Sequence, residues 1–532
     1  MIETLALTIV SWTLAVVGVP QKAGDPCTFN EDTRYSQLVI DNRINDFKAN
    51  TKVAGFGKFD SEGNMKENPA GTSTTLDYVP GLVAKAILEA ADYYKDKDNV
   101  DVRPWFYAVA NYGNTCDIPA NGKDGKSFDD LNGVKLYFKL LELANSGLFA
   151  DSKTYTHAAS IATAKTRFTD TRNGFQKANT SYVIKANTLA EAAGGWWHKS
   201  SYTDQMWCDG LYMGAALMAQ MLNEDSDYAP ITDNDWDLLT KQFTISWNFL
   251  WNEDTQLLYH AFTADPAGSA ASKWAGVSAQ KGAEVYHSAE YWGRAVAWYI
   301  MALVDVLEQM QIAGLTDTDN YKTLNGYLEK LAAGIAAKQD TESGCWYQLL
   351  NHDGTFTAKN YNSSYRYTSS PVTNYLESSC TAIFIAAYLK GMRLGLLQTD
   401  YSEVVEKAYK GFIEHFMVSD GNGGVHLIGC CKSAGLGGSN YRDGSAEYYL
   451  MGKDTKPTST QGSDFYTEGK VLGGFIMAAT EYERRKEPLT NAITKPKQQN
   501  HTDETVWSIG GQRLTKETKQ HIYIKNGAKQ IR

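Results

Sequence analysis

The chain has 532 residues, 43% hydrophobic and 21% charged, an ordinary globular composition long enough for one large core or two to three smaller ones. Its formal net charge of −10 and the lack of any basic stripe argue against a nucleic-acid partner, which needs clustered cations to neutralise phosphates. The 32 Tyr and 13 Trp exceed what a core usually needs, and rings that pack while keeping a hydrogen-bonding tip suit carbohydrate binding.

Residues 5–19, LALTIVSWTLAVVGV, form an apolar run of signal-peptide length, too short to span a bilayer. Residues 1–24 are therefore read as a signal peptide, although Glu3 stands where a basic residue is usual. An exported protein is expected, periplasmic or extracellular, with no integral membrane span. Cys27, Cys116, Cys208, Cys345, Cys380, Cys430 and Cys431 contain no Cys-x-x-Cys pair and read mostly as buried free thiols.

Beyond about residue 75 apolar residues recur at helical spacing. The pattern predicts helices over 79–94, 131–146, 158–167, 205–222, 235–251, 291–311, 323–338, 375–397, 401–418 and 468–485. No fixed repeat period is visible, and the loops are irregular and loaded with aromatic and polar residues. A closed toroid of helical hairpins with functional loops on one face fits this all-α pattern better than a solenoid. The catalytic domain is assigned to 25–486. Residues 487–532 change to a polar linker and a tail with short β-like runs, which resembles C-terminal sorting tails of type IX secretion substrates and equally fits a floppy polar terminus.

The densest chemistry lies in GGWWHKSSYTDQMWCDGLYMG, 194–214. Asp209 sits among aromatic and thiol neighbours, where desolvation favours a carboxyl that carries a proton near neutral pH. Asp204 suits the role of a helix N-terminal acid better. A second carboxylate is expected from FDDLNG, 128–133, where one of Asp129 and Asp130 caps the helix and Asp130 is slightly preferred. His198 and Lys199 precede Asp209 across a loop short enough to fold back. His260 follows Trp247 and Trp251 and fits either core or cleft. Arg294 and Trp298 share a helix face at i and i+4; the cation either stacks on the ring or holds a carboxylate through a two-pronged hydrogen bond. No metal-ligand spacing, phosphate-binding Gly-rich loop or Gly-x-Ser-x-Gly elbow is present, so no metal or cofactor is expected.

These motifs, with LDYVPGLVAKA at 76–86, YWGRAVAW at 291–298, SGCWYQLL at 343–350, NYLESSCTAIFIAAYLKGMRLG at 374–395 and YRDGSAEYYL at 441–450, resemble in order the unsaturated rhamnogalacturonyl hydrolases of glycoside hydrolase family 105, relatives of the family 88 unsaturated glucuronyl hydrolases. The resemblance spans roughly residues 70–485 and implies an (α/α)6 barrel. It implies hydration of the C4=C5 double bond of an unsaturated uronic acid at the non-reducing end of a lyase-generated oligosaccharide, with loss of the neighbouring sugar. Asp209 then matches the general acid/base and Asp130 the second acidic residue, while Tyr78, His198, Lys199, Trp207, His260, Arg294 and Trp298 match cleft-lining positions. Charge alone suggests Lys199 and Arg294 as partners for the substrate carboxylate.

Two segments depart from the family pattern, 166–193 and 267–285, and either can reshape subsites beyond the unsaturated sugar. The competing readings are an inverting glycosidase or uronate lyase on the same toroid, using Asp130 and Asp209 as a pair, and a non-catalytic surface glycan-binding protein.

Overall fold

The computed structural model describes residues 16–45, 56–67, 75–97, 99–268, 271–279, 286–358, 372–439, 441–452, 454–458 and 467–486, with four short strands between 506 and 530. The chain divides into two units, 1–484 and 485–532. The second contains a four-stranded antiparallel sheet ordered Arg513–Leu514, Val506–Ser508, Tyr523–Lys525, Ala528–Gln530.

Twelve helices of nine residues or more frame the first unit. In chain order they are α1 (Tyr35–Asn45), α2 (Tyr78–Tyr94), α3 (Arg103–Thr115), α4 (Leu136–Ala144), α5 (His157–Ser181), α6 (Ala216–Glu224), α7 (Asp235–Leu250), α8 (Gly293–Ile312), α9 (Asp319–Ala336), α10 (Ser378–Arg393), α11 (Ser402–Phe416) and α12 (Gly469–Lys486). The even-numbered helices form an inner ring. Lys85, Lys139, Gln220, Asp305, Lys390 and Thr480, one from each, line a single cavity near their C-terminal ends. The ring closes where α12 wedges between α2 and α10. A Cβ on Gly473 would meet Leu82 at 2.6 Å and one on Gly474 would meet Ile383 at 3.0 Å, so only hydrogen fits at these approaches.

Burial follows the pattern of each helix. The inner α8, GRAVAWYIMALVDVLEQMQI, is apolar nearly all round and buries 17 of its 20 residues, as a helix enclosed on every side must. It is long and apolar enough to cross a membrane, but 83% of its most apolar window is buried inside the ring. The outer α9 buries Leu324, Leu328, Leu331, Ala332 and Ile335, a single i, i+4 stripe, and leaves its other face to solvent. Six inner and six outer helices make the all-α (α/α)6 barrel expected from the sequence.

Several elements differ from the sequence pattern. The helix expected over 131–146 is broken into Phe128–Asn132, a 3-10 turn Gly133–Lys135 and α4. The one expected over 158–167 runs on to Ser181, so most of the 166–193 insertion is helical. The first three residues of the expected helix 205–222 are instead a strand, because they pair with Ala261–Thr263; a π-helical turn, Leu211–Ala215, then precedes α6. The second insertion contains a short helix, Ser272–Ala279, pinned by the buried Trp274.

Residues 16–24, inside the span read as a signal peptide, are packed onto the protein. Gly24 N donates to Ser419 O at 2.8 Å, Thr28 N to Gly18 O at 2.9 Å, and Val19 is buried. All seven cysteines are buried and free.

Candidate active site

Two backbone pairings assemble a site at the N-terminal ends of the inner helices. Strand β1 (Gln205–Trp207) runs antiparallel to β2 (Ala261–Thr263), with Trp207 opposite Ala261, and Cys208 N donates to His260 O at 3.0 Å. This sets His260 against Asp209, which lies in the first turn after β1. Separately, Ser127 bridges Lys199 and Ser200 N donates to Lys126 O at 2.8 Å. That pairing carries the start of the Phe128–Asn132 helix onto His198 and Lys199.

Asp129 receives both residues, one on each oxygen. His198 Nε2 lies 3.3 Å from Oδ1 and Lys199 Nζ 2.5 Å from Oδ2. Burial pushes the Asp129 carboxyl up, but Lys199 and His198 outweigh it and hold the group below the usual carboxylate range. Burial lowers the His198 imidazole by more than Asp129 raises it. At neutral pH the cluster is therefore a carboxylate, an ammonium and a neutral imidazole. Nε2 is the ring nitrogen that faces Asp129, and Nδ1 is buried without a hydrogen-bond partner.

Asp130 stands apart from this cluster. Its Cβ faces Gly122, and burial followed by the neighbouring Asp129 charge pushes its carboxyl up. Of the two candidates for the second acidic residue, between which the sequence slightly prefers Asp130, it is Asp129 that contacts His198 and Lys199. Adjacent residues on a helix project about 100° apart, and the 127–200 pairing decides which one faces the site.

Asp209 Oδ2 lies 3.4 Å from His260 Nε2, and neither buried atom has a hydrogen-bond partner. The other ring nitrogen, His260 Nδ1, is 2.7 Å from the Tyr449 hydroxyl. Trp292 packs against His260 at 4.7 Å between ring centroids. Trp207 stands edge-on to His260 at 5.0 Å and stacks on Tyr202 at 4.5 Å and on His198 at 5.5 Å. Trp207 Nε1 donates to Gln205 Oε1 at 3.1 Å. The imidazoles of both acid groups thus lean on one indole.

The remaining expected site residues lie deeper. Trp298 is 1% exposed and packs under the site, stacked on Tyr212 at 4.7 Å and met edge-on by Tyr78 at 6.3 Å. It is a core ring rather than a cleft wall. Tyr78, half-buried, is close enough to Asp129 and Arg294 to feel both charges. Arg294 is 2% exposed and committed to the fold. It donates to Ser379 Oγ at 3.2 Å and to the Cys431 carbonyl at 2.5 Å, lies over the Trp292 ring at 4.7 Å and stands 3.9 Å from Glu377. Neither its stacking partner nor its hydrogen bonds are those expected, and a buried guanidinium paired in this way is not free to meet a substrate carboxylate. Lys199 keeps 29% of its side chain exposed beside Asp129.

Tyr449, Trp292, Gln348 and Tyr202 were not singled out from the sequence. Trp292, Gln348 and Tyr449 fall in segments that carry the family resemblance, but no local spacing links positions so far apart. Trp292 Nε1 donates to Gln348 Oε1 at 3.1 Å, and Gln348 Nε2 donates to the Tyr449 carbonyl at 3.2 Å.

An (α/α)6 barrel with two carboxylates, two imidazoles and stacked rings at one end defines a carbohydrate-active hydrolase. Residues 58–486 match the family model described as Glycosyl Hydrolase Family 88, and the chain belongs to that family. Among solved structures, the C. acetobutylicum ATCC 824 glycoside hydrolase from family 105 is 25% identical with a TM-score of 0.57, covering 85% of this chain and 100% of that one. A possible family 105 member from Salmonella enterica subsp. enterica serovar Paratyphi A str. ATCC 9150 is 17% identical with a TM-score of 0.51, covering 86% of this chain and 96% of its own, a likeness in fold. Protein Atu3128 of Agrobacterium fabrum is 32% identical over 235 residues, 42% of this chain and 84% of its own length.

Proposed function

We propose that this glycoside hydrolase acts on lyase-generated pectic oligosaccharides of the rhamnogalacturonan type. It hydrates the C4=C5 bond of the unsaturated galacturonic acid at the non-reducing end. Asp209 delivers a proton to C4, water adds at C5 with Asp209 now as base, and the resulting hemiketal opens and releases the neighbouring sugar. The observation that carries this reading is the asymmetry of the two acids. Both oxygens of Asp129 are engaged by His198 and Lys199, whereas Asp209 Oδ2 has no hydrogen-bond partner. One carboxyl is left to transfer protons, which is what hydration of an enol ether requires; an inverting glycosidase needs a separate acid and base. The ionised Asp129 supplies negative charge near the developing oxocarbenium-like cation.

Incubation with unsaturated rhamnogalacturonan disaccharide tests the reading. Loss of ultraviolet absorbance from the conjugated double bond is the expected result. New absorbance from saturated polymer identifies a lyase instead. Loss with unsaturated disaccharides derived from glycosaminoglycans but not with the rhamnogalacturonan disaccharide moves the specificity away from pectin, since the unsaturated uronate itself is the same residue in both and only the linkage and the next sugar differ. The apolar run 5–19 supports export; N-terminal sequencing of protein recovered outside the cytoplasm checks it.

A further inference from the structure

Tyr449 and His260 are both fully buried, and the phenol oxygen lies 2.7 Å from Nδ1. Burial pushes the Tyr449 phenol well above its ordinary pKa, so the oxygen keeps its proton. A buried O–H without an acceptor is costly. Nδ1 is the acceptor that the structure gives this hydroxyl among the described residues. A hydroxyl that donates to Nδ1 needs a lone pair there, and the proton of the neutral ring then sits on Nε2. Nε2 is the atom 3.4 Å from Asp209 Oδ2.

We propose that Tyr449 is a positioning residue for the reaction: its hydroxyl fixes His260 in the Nε2–H tautomer and so places the ring proton on the nitrogen nearest Asp209. This rests on the reading of Asp209 as the proton-transferring group. The role is distinct from holding the ring in place. Trp292 and Trp207 pack on the imidazole, while Gln348 ties Trp292 to the Tyr449 backbone, so the ring stays put when the hydroxyl is gone. What the hydroxyl adds is the choice of nitrogen. With Nε2 protonated, His260 offers a donor beside the carboxylate once Asp209 has given up its proton, and a donor to water entering the same space. With Nδ1 protonated it offers a second lone pair and repels that carboxylate.

The test joins a spectroscopic and a kinetic measurement on the full chain. With 15N-labelled histidine, and His260→Gln to assign the resonances, wild-type His260 is expected to show a protonated Nε2 and an unprotonated Nδ1. Tyr449→Phe is expected to lose that preference and to lower kcat on the unsaturated disaccharide by about 10- to 100-fold, by analogy with the partners that fix the tautomer of metal-bound histidines. KM is expected to stay within about 2-fold, as for a group acting in the transition state alone. A protonated Nδ1 in the wild type overturns the proposal, and so does Tyr449→Phe with wild-type kcat. If the wild type leaves the disaccharide intact, it is the functional reading that fails, and the 15N spectrum still decides the tautomer.

Discussion

His260 Nε2 stands 3.4 Å from Asp209 Oδ2, and neither atom has a hydrogen-bond partner. Unsatisfied buried polar atoms are rare and costly in a folded protein. Two of them facing each other beside a wall of stacked rings are the polar atoms that the proposed reaction uses. The fold pays for this at Asp209, where the strand pairing of Gln205–Trp207 and the π-helical turn Leu211–Ala215 bracket the carboxylate; π-turns concentrate at functional sites.

Asp209→Asn is expected to keep the fold and substrate binding while lowering kcat by about 100-fold or more, the contribution usual for a positioned acid/base. Ultraviolet assay of the purified variant, with a thermal melt to confirm folding, checks this. Retention of wild-type turnover assigns the proton transfer elsewhere.

Lys199→Met is expected to destabilise the protein by about 1–3 kcal/mol at pH 7, because it leaves Asp129 ionised with one oxygen unpaired. The sign with pH follows from the direction of the shift. Asp129 is held below its unfolded value, so its stabilising contribution is fully present above about pH 4 and fades as pH falls further through the folded value. Denaturant midpoints of wild type and variant are therefore expected to differ at pH 7 and to converge in acid.

Gly210→Ala is expected to cut activity by about 10-fold, the effect of misplacing a site group by a fraction of an ångström, with little change in stability. Gly210 has helical φ of −61°, where Ala is the better helix former by about 1 kcal/mol. Its Cβ, however, would come 3.1 Å from His198 Nδ1, and His198 is held from behind by Trp207. A melt and an activity assay separate the two effects; a fully active variant means that His198 has room to move.

Lys135→Met is expected to stabilise the barrel by about 1 kcal/mol or more at pH 6, because the burial cost of the Lys135 ammonium outweighs its attraction to Asp305 and Glu89. Lys135 is 2% exposed, its Nζ 3.2 Å from the Tyr212 carbonyl and 3.6 Å over the Tyr212 ring. Burial lowers its pKa to about 7. The unfolded chain binds the proton more tightly, so wild-type stability rises with pH from about 7 to about 10 and the advantage of Met shrinks over the same range. Unfolding curves at pH 6 and pH 9.5 measure the difference.

The architecture was legible because it rests on local periodicity. Helices enclosed by neighbours, such as α8 and α10, are apolar on every face, and outer ones such as α9 carry a single stripe; both patterns survive in the bare sequence. Helix α3 was missed: RPWFYAVANYGNT is short, and its Pro and polar residues obscure the periodicity. The strand Gln205–Trp207 was read as helix because its extended form is imposed by Ala261–Thr263, more than fifty residues on. Asp209, His198, Lys199 and His260 could be named in advance, since their residue types and aromatic surroundings already carry the chemistry.

Composition and spacing by themselves determined that the chain is built of amphipathic and fully apolar helices and that carboxylates, an imidazole, an amine and broad rings are concentrated in 194–214, because periodicity and residue chemistry are properties of neighbouring positions. Only the tertiary structure decided that Asp129 rather than Asp130 meets His198 and Lys199, that Arg294 is consumed by Ser379, Glu377 and the Cys431 carbonyl, and that Tyr449 reaches His260. Each of these depends on which way a side chain points once distant segments have docked, and that direction is fixed by packing between elements rather than by the residues beside it.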